Sequence, residues 1–555
     1  MEKVKQGHII SMTTRYGKRK LAEKGILPMK KLWYGGTIYT MEKEHETVEA
    51  VLVEGDNILA TGSFNELNVQ ADELVDLKGA VMYPGFVDSH LHMLFQGEKL
   101  IRLDLTKANS ATEMLEMVSE AAKTAPTDSW LYGEGWNENN FADQRIPTIG
   151  ELDAIRKEPI LLTRVCHHVV LGNSAALEAG GITSDSQPPA GGEIGRGADG
   201  RLNGLLFDQA MNPVTEAVPK EGEAYIESLT NTLNLAVDNM LSYGLTGGHT
   251  EEMNYFGDFR NPLTAFHRVV GKKKHFRVNI LRHNAVFEKM IEANAEFDEP
   301  YVEPGAMKIF ADGALGGSTA ALSESYADQP DNKGLFIQTD EELETLVKLA
   351  RKHNEVVAVH MIGDAATEQV LRVIEKYPAP SGKRDRFIHC CILREDLVER
   401  MAKLPLVVDI QPAFVPSDFP WVIDRLGEER LSLAYPWKTL LDRGIMCAAG
   451  TDAPVEDIDP LVTIYAAVER KKPGTEHDGY IPEQKLSRFE AIRLYTIGSS
   501  QAINKEHERG YIKPGYVADF TIFDRDLFVG TTDEMLTAKA VKTVVAGRVV
   551  FERGK

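Results

Sequence analysis

The sequence predicts an α/β fold: a TIM-like (β/α)8 barrel, with a small composite β-sandwich assembled from both termini and a large insertion after the first barrel strand. Three observations carry this. Short β-branched and aromatic runs parted by glycine turns stand near both ends of the chain. Between them, eight apolar runs alternate with helix-like stretches, the pattern of a parallel sheet wrapped by helices. Each of those runs also finishes on or near a residue with reactive chemistry, as a barrel with its site at the carboxyl ends of the strands requires.

Taken in order, residues 1–30 read as an amino-terminal extension. The runs "KLWYGGTIYTM" and "EAVLVEGDNILATGS" give residues 31–82 to the sandwich; "GYIKPGYVADFTIFDRD" and "AVKTVVAGRVVFERGK" return residues 506–555 to it. The barrel takes residues 83–100 and 240–505. Its strands are predicted in "MYPGFVDSHLH", "GLTGGHT", "RVNILRH", "AMKIFADG", "VVAVHMIG", "RFIHCC", "LVVDIQPA" and "IMCAAGTDAP". The distance from His92 to His249 is too long for one βα unit, so residues 101–239 are predicted to form an inserted α/β lid subdomain over the barrel mouth. Its strands are expected in "SWLYGEGWNENNF" and "PILLTRVCHHVVLGNSAAL". Residues 180–201, "GGITSDSQPPAGGEIGRGADGR", read as a long surface loop.

The 555 residues are 43% hydrophobic and 26% charged, a globular composition, with a net charge of −21. Such an acidic surface repels phosphate backbones and anionic lipid, which removes nucleic acid and membrane from the expected partners. No run reaches the roughly 20 apolar residues of a spanning helix, and the four cysteines show no CxxC pairing. A cytoplasmic enzyme of small molecules is expected, with a homodimer as the ordinary oligomeric state of such a protein.

The chemistry is carried by the strand ends. In "SHLH" the two imidazoles of His90 and His92 point to one side of a strand while Leu91 points to the other. A lone HxH is more often a polar strand end than a chelate. His360 in "AVHMIGD", His389 in "RFIHC" and Asp452 in "AAGTDAP" change that balance, because independent strands bring nitrogen and oxygen donors to the same end. This set suits one or two divalent ions, zinc foremost, with manganese or iron as alternatives. Lys308, charged in an otherwise apolar strand, has two readings: a neutral amine that takes up carbon dioxide and bridges two cations as a carbamate, or an ammonium paired with a carboxylate such as Asp312. Cys390 and Cys391 read as small buried residues, and Cys166 as a pocket candidate.

These residues resemble the amidohydrolase superfamily, and within it amidohydrolase family 3, the group that includes the N-substituted formamide deformylases. The resemblance runs from about "GGTIYTM" to the carboxyl terminus through "PGFVDSHLHM", "NSAAL", "KIFADGALGGSTAAL", "VAVHMIGDAA", "QPAFVPSDFPW", "GTDAPVEDIDPL" and "KPGYVADFTIFD". It implies metal ligands at His90, His92, His360, His389 and Asp452, with Lys308 as a carboxylated bridging lysine, and it implies the same sandwich and insertion. Two departures stand out: "CHH" at Cys166 to His168 where the family has DGH, and Ile388 where it has an acid.

The expected reaction is hydrolysis of an amide- or formamide-type C–N bond by metal-activated water. Asp452 is expected to accept the water proton and pass it to the leaving nitrogen, with His168 or His249 stabilising the oxyanion. Substrate contacts are expected from His168, Asn173, Trp136, Asp312 and Gln411. Isomerisation, decarboxylation or ester hydrolysis in the same barrel is the alternative, and a catalytically silent binding protein is a third.

Overall fold

The computed structural model describes residues 29–125, 129–143, 145–166, 168–189, 191–217 and 220–554. All eight predicted runs become parallel strands paired in chain order: Phe86–Leu91, Leu245–Glu251, Arg277–His283, Val302–Phe310, Val357–Met361, Asp385–His389, Leu406–Ile410 and Met446–Ala449. They are called barrel strands one to eight below. Strands such as "LVVDI" are buried along their whole length, which is why their sequences run apolar rather than alternating.

The barrel closes without a ladder between strands one and eight. Main-chain bonds just beyond strand eight make the join: Asp452 N–H donates to the His90 carbonyl at 2.7 Å, and His92 N–H to the Ala453 carbonyl at 2.8 Å. The backbones approach so closely that a Cβ on Gly450 would sit 2.4 Å from the His90 nitrogen, so only glycine fits there.

Helices between the strands carry their own start signals. Thr339 and Glu342 form a reciprocal capping box at Asp340–Lys352, and that helix buries Leu343, Val347 and Ala350 from one face.

Both ends of the chain meet in one eight-stranded mixed sheet. Its strand Lys30–Tyr39 pairs with Glu73–Asp76 through its first half and with Val81–Pro84 through its second, the change falling at Gly35–Gly36. Phe520–Phe523 then pairs antiparallel with Val81–Pro84. Trp33, Val51, Met82, Phe520 and Val544 share the core between them. Burial of each such side chain contributes about 1.5–3 kcal/mol. The expected first strand "MYPGFVDSHLH" is thus two strands, Val81–Pro84 in this sheet and Phe86–Leu91 in the barrel.

The insertion is a compact unit of residues 97–228. It holds a six-stranded sheet in the order Gly192–Arg196, Leu202–Asp208, Val169–Gly172, Ile160–Arg164, Leu131–Trp136, Leu103–Asp104. Two expectations change here. The predicted loop 180–201 contains the strand Gly192–Arg196, paired antiparallel with Leu202–Asp208. The insertion also ends near 228 rather than 239, because the helix Glu223–Ser242 buries Leu229, Leu233, Val237 and Met240 and belongs, from Leu229 onward, with the barrel. The expected extension 1–30 lies, up to residue 28, outside the described residues. No helix among the described residues is long and apolar enough to cross a membrane.

Candidate metal centre

Strand one carries an extra residue against strand two: Asp88 faces Gly248, but Leu91 faces Thr250. A bulge of this kind bends the strand and re-aims its side chains. Here it brings His90 and His92 to one oxygen. His92 Nε2 lies 3.3 Å and His90 Nε2 3.5 Å from Asp452 Oδ1. One donor atom from each of the three residues lies within 4.8 Å of the others. Lys308 reaches the same place, with Nζ 3.4 Å from His90 Nε2.

The imidazoles are oriented from behind. His92 Nδ1 donates to the Glu251 carbonyl at 2.9 Å, which leaves Nε2 as the nitrogen aimed inward. His389 Nδ1 donates to Gln411 Oε1 at 2.7 Å, and the His389 ring stacks on Phe414. The His360 ring stands nearly perpendicular to His389 at 4.6 Å between centroids. Its Nε2 lies 3.0 Å from the Gly313 carbonyl, so Nδ1 is the nitrogen left for a ligand. Two of these residues hold left-handed backbone, His389 at φ 77° and Asp452 at φ 55°. For non-glycine residues this costs about 1–3 kcal/mol each, a cost typical of functional sites.

Electrostatics separates the roles. Burial pushes the Asp452 carboxyl up, but the hydrogen bond from His92 and the nearby His389 and Lys308 bring it below its ordinary value, so it is an anion. Burial alone would lower His92; Asp452 outweighs it and raises the imidazole to about 9. Burial lowers His389 to about 4 and holds His90 and His360 well below the usual range, leaving their rings neutral. Burial brings the Lys308 ammonium down to about 8, against the pull of Glu251 and Asp452.

His360 and His389, neutral and each tied through one nitrogen, together with a buried Asp452 carboxylate 3.3–3.5 Å from the Nε2 atoms of His92 and His90, fit a divalent cation of borderline softness.

The remaining expected residues have the following partners. Asp312 does not pair with Lys308: its carboxylate accepts the N–H groups of Ala321, Ile362 and Gly363 and ties the loops after strands four and five together. Gln411 is fully buried behind His389 as its orienter. His249 is not at the strand end, because strand two continues to Glu251. It lines a cavity near the amino-terminal ends of the strands. In the insertion, Trp136 is fully buried with Nε1 on the Leu162 carbonyl. Asn173 is fully buried too; it caps Ser174–Ala179, and its amide serves Ile160 N, Arg156 O and Glu158 O. The polar atoms of both are consumed inside the unit. His168 is exposed and bonded to Asp208 at 2.8 Å, Cys166 is exposed, and His167 lies outside the described residues. Cys390 and Cys391 are buried thiols pushed well up by desolvation, as their small-residue reading requires.

Sequence reasoning missed Glu251 and Asp88. Glu251, fully buried at the end of strand two, supplies the carbonyl that holds His92 and is the carboxylate that pulls hardest on Lys308. The signal was the doublet Glu251–Glu252 closing an apolar run. Asp88 accepts Thr451 N–H, Thr451 Oγ1–H and His90 N–H, and so joins strand one to the segment after strand eight.

A parallel barrel with two imidazoles and a carboxylate at the carboxyl ends of its first and last strands defines the class of metal-binding barrel enzymes. Comparison with known proteins gives the narrower placement: the chain belongs to the amidohydrolase family, its residues 73–551 matching the Amidohydrolase family profile Amidohydro_3. It is 44% identical over 533 residues to "Putative amidohydrolase YtcJ" of Bacillus subtilis (strain 168), covering 95% of this chain and 100% of that one. It is 26% identical to the N-substituted formamide deformylase of Arthrobacter pascens, covering 93% and 97%. Among solved structures, an uncharacterised metal-dependent hydrolase from Pyrococcus furiosus is 28% identical with a TM-score of 0.76, covering 90% of this chain and 100% of that one.

Proposed function

We propose that this protein hydrolyses an amide- or formamide-type C–N bond of a small molecule at a zinc centre held by His90, His92, His360, His389 and Asp452. The carrying observation is the convergence of His90 and His92 on Asp452 Oδ1, with the Lys308 amine 3.4 Å from His90. The likeness to the Arthrobacter pascens deformylase along nearly the whole chain supports the formamide side of the substrate class.

A bound divalent ion lowers the pKa of water and polarises a carbonyl. The residues of this chain supply the rest. Asp452, anionic and fixed by its backbone bond to His90, takes the proton from the attacking water at its carboxylate and returns it to the leaving nitrogen. Gln411 and the Glu251 carbonyl hold His389 and His92 in the tautomers that present Nε2. Lys308, brought to about 8, has a neutral fraction at neutral to mildly alkaline pH. Its nitrogen would add to the carbon of carbon dioxide and lose a proton, giving a carbamate whose oxygens would be available as metal ligands.

Three measurements on purified protein test this: metal per chain by elemental analysis, turnover of a panel of formamides, acyl amides and esters, and labelling with isotopic bicarbonate. Bound zinc, turnover of formamides or amides that chelation abolishes and zinc restores, and a carbamate signal absent from Lys308→Met are expected. A protein that turns over the amides equally well after complete metal removal would sink the proposal.

A further inference from the structure

Near the amino-terminal ends of barrel strands one to four, the strands and residues 499–519 enclose a cavity that no metal-centre residue lines. Two buried ion pairs frame it, Arg277 with Asp519 and Arg509 with Glu303, the latter through both terminal nitrogens at 3.1 and 2.6 Å. Three lining residues keep a buried polar atom without a partner: His249 Nδ1, Asn279 Oδ1 and Arg509 Nε. These residues are 2%, 6% and 9% exposed. Gly305 leaves room for one of them, since a Cβ there would lie 2.4 Å from Asn279 Oδ1.

The three atoms have complementary demands. Arg509 Nε–H only donates and Asn279 Oδ1 only accepts. His249 lies against the Ser89 backbone, and with Nδ1 unpartnered it is Nε2 that can donate to the Ser89 carbonyl; burial holds the ring well below its ordinary pKa, so Nδ1 is an acceptor. One donor and two acceptors are the complement of a single water, which accepts once and donates twice. An anion would face two acceptors, and a cation would face Arg509. The cavity offers about 20 Å³ to the centre of a water-sized molecule, enough for one water.

We propose that this cavity binds one structural water, and that through it His249 is a positioning residue for the metal centre. The water fixes the tautomer that lets His249 donate to Ser89. The Ser89 carbonyl also receives Arg386 at 2.6 Å, and it lies in the strand-one bulge immediately before His90. The positioning half rests on His90 being a ligand; the water half does not.

A high-resolution crystal structure of the full chain tests the water directly. Density within hydrogen-bond distance of His249 Nδ1, Asn279 Oδ1 and Arg509 Nε is expected; a dry cavity, or the three side chains paired with one another, overturns it. Positioning is read by metal retention in a chelator competition. His249→Phe, without a donor to Ser89, is expected to lose about tenfold in metal affinity, and His249→Gln, whose Nε2 reaches the same carbonyl, to recover most of it. If His249→Phe retains metal as the parent does, or if His249→Gln loses as much as His249→Phe while melting like the parent, the positioning role is overturned. A parent protein that binds no metal refutes the metal-centre reading instead, and the crystallographic water is then judged alone.

Discussion

The Asp452 backbone N–H donates to the carbonyl of His90 at 2.7 Å while their side chains meet at 3.5 Å, so these two residues are held together twice. Closure of the barrel and geometry of the centre are therefore one problem. Asp88, which accepts from both Thr451 and His90, is its keystone.

Asp88→Asn is expected to damage metal binding more than folding. Its amide would turn an N–H toward donors that now meet a carboxylate, and an unsatisfied buried group costs about 1–3 kcal/mol. Thermal melting together with metal per chain checks this; a variant with full metal content and unchanged activity would refute it.

Metal uptake should strengthen as pH rises toward 9. In the metal-free protein Asp452 holds a proton on His92 with a pKa of about 9, so below that pH a cation must displace the proton. The same raised imidazole stabilises the metal-free fold fully below its ordinary value of 6.5, and that contribution is lost as pH passes through about 9. Calorimetric titration with zinc in buffers of different ionisation enthalpy should show proton release at pH 7, and none from this group above about 9.

Gln411→Leu removes the acceptor that fixes the His389 tautomer. A loss of about 10–100-fold in metal affinity is expected, as for other residues behind metal ligands. Gln411→Glu, which keeps an acceptor oxygen, should lose less. Equal metal affinity in Gln411→Leu and the parent, measured by chelator competition, would count against the role.

Asn173→Ala should act on stability and not on chemistry. It removes a helix cap and leaves Ile160 N–H and two carbonyls unpaired, a cost of about 2–3 kcal/mol. Urea unfolding should show the loss, while KM and kcat at a temperature where the variant is folded should match the parent. A raised KM there would restore Asn173 as a substrate contact.

The barrel was legible because each of its strands is a short apolar run that stops at reactive side chains, and parallel strands buried on both faces leave that trace. His90, His92, Lys308 and Asp452 were found the same way, and the structure brings them together. His249 was misplaced because the run "GLTGGHTEE" does not say where the strand stops; two further residues move the strand end to Glu251. Trp136 and Asn173 look like pocket residues in sequence, but a polar atom serves a ligand only if the backbone leaves it free, and here neighbouring strands take it. The strand Gly192–Arg196 was hidden among glycines and prolines because its evidence is the partner Leu202–Asp208, not its own composition.

The composite sheet places a demand on biosynthesis. Phe86 N–H bonds the hydroxyl of Thr521, 435 residues later, and Val81–Pro84 pairs with Phe520–Phe523. At a translation rate of about 5–20 residues per second, these early strands wait roughly 20–90 s on the ribosome before their partners exist. During that interval Val81–Pro84 has an unpaired edge of the kind that chaperones cover and aggregates capture. Soluble yield should therefore respond to translation speed and chaperone supply more than the stability of the finished barrel would suggest.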